Sequence, residues 1–199
     1  MSSDNNRPLV AQIIFNLHEE MLGRRRLTER VSGSESSVRT ELEKLRSQGV
    51  VEMTKEGTRL TKKGRNTFKV LLSMVKDLEY LELKELAVDK ETAAALLNME
   101  QNFAQQTWYY RDLAIREGAT GAVMIKVNSE LRFIDGSEMV GVQNPNDDRI
   151  LKKAFPDWKD GRFIVLVSAS DKGDAQRGLW RIILESCREI NGQQDCFSL

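Results

Sequence analysis

Two clusters of side chains in the first third of the chain have the chemistry to hold nucleic acid. Ser36, Ser37, Arg39, Thr40 and Lys44 fall together on one stretch. The first four sit early in a helix, where side chains reach base edges when the helix lies in a major groove. An arginine there donates two parallel hydrogen bonds to guanine. Hydroxyls serve phosphate oxygens or either base type, and Lys44 adds positive charge. The second cluster is Lys55, Arg59, Lys62 and Lys63, continued by Arg65 and Lys69; residues 55–69 hold six Lys/Arg and a single acid, Glu56. Such density neutralises phosphate, which supplies affinity rather than sequence readout. Arg24, Arg25 and Arg26 add further positive charge upstream.

Total charge conceals this footprint. The chain carries 30 Lys/Arg and 30 Asp/Glu, for a net charge of zero. Residues 24–76 hold 14 basic side chains against 6 acidic ones, whereas residues 81–199 hold 15 against 19. Basic charge therefore gathers where phosphate contact requires it.

Other chemistry is thin. His18 is the sole histidine, and Cys187 and Cys196 are the sole cysteines, with no CxxC spacing. That excludes a Cys/His zinc site and leaves no nucleophile paired with a base. His18 reads as a partly exposed helix residue, and the two thiols as one on a helix and one in the tail. Asp147, Asp148, Asp171 and Asp174 read as turn and capping carboxylates rather than metal ligands. Gly118-Ala119-Thr120-Gly121 lacks the GxGxxG spacing of a phosphate-binding turn. We expect no catalysis, no cofactor and no metal. The polar start MSSDNNRP carries no apolar signal core, and no apolar run is long enough to span a bilayer, so the protein reads as cytoplasmic.

The elements that position the basic clusters can be read from periodicity. Val10, Ile13, Ile14, Leu17 and Met21 mark a first helix entered through Pro8. Leu27–Val31 reads as a short second helix. Ser32-Gly33-Ser34 forms a turn, with Ser34 capping a third helix that ends at Gly49. On that helix Val38, Leu42 and Leu45 share one face, and Ser36, Thr40 and Glu43 lie opposite. Val50–Met53 and Arg59–Thr61 read as a hairpin turning at Glu56-Gly57. Thr61 then caps a helix running to about Leu81, whose Phe68, Leu71, Leu72, Val75, Leu78 and Leu81 resemble a coiled-coil seam. The pattern is a winged helix-turn-helix, and the seam would make it a homodimer.

The second half, placed at 83–199 by the charge reversal, reads as a small α/β layer. Thr92–Met99 is ambiguous, because three alanines favour helix in a run short enough for a buried strand. Gln105–Glu117 reads as a helix, Ala122–Val127 and Leu131–Ile134 as a hairpin, Phe163–Ala169 as a buried strand, and Gly173–Ile190 as an amphipathic helix. Residues 136–159, with Asn144-Pro145-Asn146-Asp147-Asp148, read as an irregular excursion.

The segments RDLAIREGATGAVMIKV (111–127), LRFIDG (131–136) and FIVLVSASDKGDAQRGLW (163–180) resemble those of archaeal winged-helix proteins regarded as transcriptional regulators, whose C-terminal domain has no established function. The resemblance covers most of the chain and is strongest at Arg111-Asp112, Gly118-Ala119, Gly121-Ala122 and Gly178-Leu179-Trp180. It implies an archaeal setting and makes Thr92–Met99 a strand; it implies no chemistry. The chain departs from it where Asn128-Ser129-Glu130 replaces a glycine-bearing turn. If Arg111, Asp112, Asp171 and Trp180 meet at one end of the sheet, they form a candidate ligand pocket; otherwise they are an Arg–Asp pair and a core tryptophan.

The expected architecture is thus α+β. A winged helix-turn-helix over residues 1–82 binds double-stranded DNA, and an α/β domain over 83–199 senses a small-molecule effector or dimerises. Glu35, Glu41 and Glu43 on the third helix keep open a second reading, a winged helix used as a protein–protein adaptor on transcription or RNA-processing machinery.

Overall fold

The computed structural model describes residues 6–99, 103, 106–134, 136, 138–156 and 159–190. Among these, two compact units divide between Leu72 and Ser73; residues 187–190 at the end of the last helix cluster with the first unit. Helices followed by a five-stranded sheet make the chain α+β, as its patterning requires.

The first unit opens with α1 (Arg7–Glu19), which buries Leu9, Val10, Ile13, Ile14 and Leu17. Gln12 is buried on the same helix and anchors the turn that follows the second helix. Its amide Nε2 donates to the Ser32 hydroxyl at 2.8 Å, and its Oε1 accepts from the Ser32 backbone N–H at 2.6 Å. Helix α2 spans Arg24–Arg30, so the arginine triplet forms its first turn rather than preceding it. In α3 (Glu35–Ser47) the Ser34 hydroxyl accepts the Ser37 N–H at 3.2 Å. Its far end closes with Gly49 at φ +71°, as Gly49 N–H donates to Arg46 O and Val50 N–H to Leu45 O. That paired closure satisfies two carbonyls the helix would otherwise leave open.

Strands β1 (Val51–Met53) and β2 (Thr58–Leu60) pair antiparallel, with Glu52 opposite Arg59. Leu22 bridges to Thr58 through two backbone hydrogen bonds of 3.0 and 2.8 Å, so the hairpin is tied back to the chain between α1 and α2. Thr61 caps α4 (Lys62–Thr67) by accepting the Gly64 N–H. A Cβ at Gly64 would overlap the Val50 carbonyl oxygen. Gly64→Ala is therefore expected to lower stability by about 1–3 kcal/mol, read as a lower denaturant midpoint; an unchanged midpoint would mean that this backbone approach has room to relax.

The helix expected to reach Leu81 stops earlier. Helix α5 (Lys69–Met74) ends it, and Val75–Leu81 is strand β3, so no coiled-coil seam extends through Leu78 and Leu81. The sequence misleads here because of a bulge. Val75 pairs with Leu97 and Leu78 with Ala95, positions on one face of the neighbouring strand, while a register shift lies between Val75 and Asp77. One extra residue lets an i, i+3 pair share a strand face, which imitates helical spacing.

The sheet of the second unit has the order β3-β4-β7-β5-β6 and is antiparallel throughout. Its other strands are β4 (Glu91–Asn98), β5 (Gly121–Asn128), β6 (Glu130–Phe133) and β7 (Arg162–Ala169). Both faces are covered, so β4 and β7 read as unbroken apolar runs rather than alternating ones. Ala94, Leu96, Ile125, Ile164 and Leu166 form one face with Val140, Leu151 and Phe155. Val140 comes from α7 (Val140–Gln143), Leu151 from α8 (Pro145–Ala154) and Phe155 from the residue after it; the two helices replace the expected irregular excursion. Pro145 opens α8, where a missing N–H costs nothing.

On the other face lie α6 (Thr107–Arg116) and α9 (Lys172–Ile190). Ideal Cβ positions at Gly178 fall 3.0 Å from Val167 and 3.2 Å from Ala114, so α9 can approach β7 and α6 this closely only with small residues. The β5–β6 turn centres on Ser129 at φ +58°, a left-handed conformation that favours glycine. A left-handed non-glycine residue costs about 1–2 kcal/mol, partly offset by the chain entropy that glycine would lose. Ser129→Gly is expected to raise the thermal midpoint by a degree or more; a lower midpoint would contradict this account of the turn.

The sulfur of Cys187 is engaged in a disulfide rather than free, contrary to the thiol expectation. Cys196, and Gln105 at the predicted start of α6, lie outside the described residues.

Candidate nucleic-acid interface

Helix α3 presents Ser36, Arg39, Thr40, Glu43 and Lys44 to solvent, opposite the buried Val38, Leu42 and Leu45. The hydroxyls of Ser36 and Ser37 each lie 2.9 Å from that of Ser34, so the capping cluster orients them. Thr40 donates its hydroxyl to Ser36 O at 3.0 Å and keeps its lone pairs for a donor. Arg39 reaches Glu43 at 3.8 Å with both side chains exposed. Exposed pairs contribute about 0–1 kcal/mol, so the guanidinium can exchange this partner for guanine at little cost.

The remaining basic residues differ in how tightly they are held. Arg59 Nε donates to Glu52 at 2.6 Å across the hairpin, and Lys63 Nζ donates to Gln48 O at 2.8 Å. Lys44 pairs with Glu41 at 2.9 Å. Lys55 and Lys62 are exposed and make no hydrogen bond or ion pair among the described residues.

A groove of about 350 Å³ separates α3 from the β1–β2 hairpin. Arg24, Arg39, Arg46 and Lys55 line it, above an apolar floor that includes Leu42 and Met53. Sequence reasoning missed Arg46. Its spacing of seven from Arg39 places it two turns along the same helical face, a signal that was available but lost among the helix's acids. Those acids are less obstructive than expected. Glu41 is 5% exposed, accepting from Asn6 Nδ2 at 2.8 Å and from Lys44, so it is not part of the solvent face. Glu35 and Glu43 each lie beside an arginine, Arg24 at 3.4 Å and Arg39 at 3.8 Å.

The four residues read as a ligand pocket stand in different surroundings. Trp180 is fully buried in the core. Asp171 lies at the N-terminus of α9 and accepts the Asp174 N–H at 3.0 Å, a bond that holds its carboxyl below the usual carboxylate range. Asp112 is half-buried, and no Arg111–Asp112 ion pair exists, since neighbours on a helix point about 100° apart. Arg111 lines a cavity beside Trp108, and the other three are not among that cavity's lining residues. Among the described residues no three His, Cys, Asp or Glu side chains are placed to share a metal ion, and no helix is long and apolar enough to cross a membrane.

Residues 11–75 match the model of the CggR N-terminal DNA binding domain. A solved structure described as a hypothetical protein from Pyrococcus horikoshii is similar over nearly the whole chain. It is 26% identical, covers 93% of this chain and 94% of its own, and superposes with a TM-score of 0.69. No curated protein matches. The matched segment runs from α1 into β3 and contains both basic clusters, which supports a DNA-binding transcription regulator.

Proposed function

We propose that this chain is a sequence-specific transcription regulator of the winged-helix type. Helix α3 enters the major groove of double-stranded DNA, Arg39 reads guanine, and Ser36, Ser37 and Thr40 contact phosphates or base edges. Lys44, Lys55, Arg59, Lys62 and Lys63 follow the backbone, with Arg24 and Arg46 beside them. The second unit senses an effector or holds two copies together as a homodimer, the symmetry that paired half-sites call for.

The observation that carries this reading is the groove between α3 and the hairpin, lined by four cations against two acids, Glu43 and Glu56, within a segment that matches a DNA-binding domain. Binding to genomic double-stranded fragments, titrated from low to high salt, tests it. Five or six phosphate contacts predict a slope of log K against log salt of about −5. A flat slope would sink the DNA reading and favour the adaptor. Footprints of two half-sites spaced by whole helical turns are expected for the dimer, and a single unpaired half-site would argue against it.

A further inference from the structure

The second unit has an open cavity of about 430 Å³ at the edge of β5. Strand β6 pairs with β5 over Ile125–Asn128 and its continuation still reaches Met124, whose carbonyl accepts the Ile134 N–H at 3.3 Å, so Gly121–Val123 has β7 on one side and no strand on the other among the described residues. Helix α6 flanks this edge with Trp108 and Arg111, almost one turn apart. Ala122, Val123 and Met124 line the strand side, and Phe133, which pairs with Ile125 and packs toward the α7/α8 face, reaches the rim from beyond the strand edge.

Two features distinguish the cavity from an ordinary surface dent. Trp108 is 55% exposed, in a unit that buries Trp180 completely. Arg111 makes no hydrogen bond or ion pair among the described residues, although residues 81–199 hold 19 acids to 15 bases. Its guanidinium is exposed and outside any basic field, so it is available to take an anion from solvent. Its planar fork matches a carboxylate, and the exposed Trp108 ring beside it takes a flat or branched apolar body. The volume lies in the range of small-molecule sites.

We infer that this cavity binds a small monoanionic carboxylate with an apolar body, its carboxylate on Arg111 and its body against Trp108 and the apolar edge of β5. The inference deepens the reading of the second unit as a sensing domain and rests on it.

The test uses the full chain without DNA, titrated with 3-phenylpropionate, 3-phenylpropionamide and acetate and read by calorimetry and tryptophan fluorescence. The expected result is saturable binding of the aromatic acid with a Kd of about 1 mM or below. The amide and acetate should bind at least about tenfold more weakly, and Arg111→Ala and Trp108→Ala should each lose about tenfold. Arg116→Ala, outside the cavity, should bind normally, and thermal melts should show each variant folded. No saturable binding, equal binding of acid and amide, or indifference to Arg111→Ala would overturn the site. DNA affinity is measured separately: acid binding that leaves it unchanged supports the site and overturns its coupling to DNA. Absent acid binding with intact DNA affinity overturns the site alone.

Discussion

Replacing Lys55, Arg59 and Lys62 together by alanine is expected to weaken DNA binding by on the order of a hundredfold near physiological salt. The estimate follows from counterion release. Three lost phosphate contacts remove about 2.7 from the salt slope, and because that contribution fades near 1 M salt, the same slope sets the affinity lost at lower salt. The fold should be unaffected, because all three side chains are exposed and surface substitutions generally stay within about 0.5 kcal/mol. Arg59 gives up its 2.6 Å contact to Glu52, but exposed pairs contribute little. Arg39→Ala should behave differently, leaving most of the salt slope while relaxing preference at one base pair by about 1–3 kcal/mol. Salt titrations of the triple variant and of Arg39→Ala on matched and mismatched sites would separate the two roles. A triple variant that keeps the parent slope would remove the hairpin from the interface.

The first unit was legible because its signals are local and agree with one another. Ser34, Gly49 and Thr61 are capping residues placed where the apolar periodicity starts or stops, and the structure uses each that way. What escaped depends on contacts between distant segments. Gln12 looks like any polar residue on a helix until Ser32 arrives to receive both of its hydrogen bonds. Glu41 counts as surface charge until Asn6 and Lys44 enclose it. Strand β3 was hidden by a bulge whose existence depends on pairing with β4. The alanines of β4 favour helix only in isolation; between β3 and β7 their small size suits a strand covered on both faces. In the candidate pocket, Arg111 stands out through the resembling Arg111-Asp112 segment, and Trp108 lies almost one turn before it on α6, but Phe133 comes from β6, whose approach no local spacing encodes.

The Asn-Pro-Asn-Asp-Asp segment shows the same limit with the largest energetic consequence. Asp147 is fully buried in the first turn of α8, and its carboxylate accepts three consecutive backbone amides: Lys84 at 2.9 Å, Glu85 at 2.8 Å and Leu86 at 2.8 Å. Successive N–H groups converging on one anion form a concave nest. This nest fastens the β3–β4 connection to α8, and Leu86 inserts beside Leu151 and Phe155 in the same core. Asp147→Ala would orphan these amides, and since hydrogen bonds to charged groups contribute about 1.5–3 kcal/mol each, a loss of roughly 3–5 kcal/mol is expected after partial resolvation. That is a large share of the 5–15 kcal/mol that holds a typical domain. Asp147→Asn preserves shape but sets an amide donor against donors, because one carboxylate oxygen serves both Glu85 and Leu86. It should lose about half as much, as the remaining carbonyl keeps part of the nest. Denaturant unfolding measures both variants, and hydrogen exchange at residues 84–86 locates the effect. If Asp147→Ala unfolds at the parent midpoint with these amides still protected, the connection is held by Leu86 packing alone and the nest is incidental.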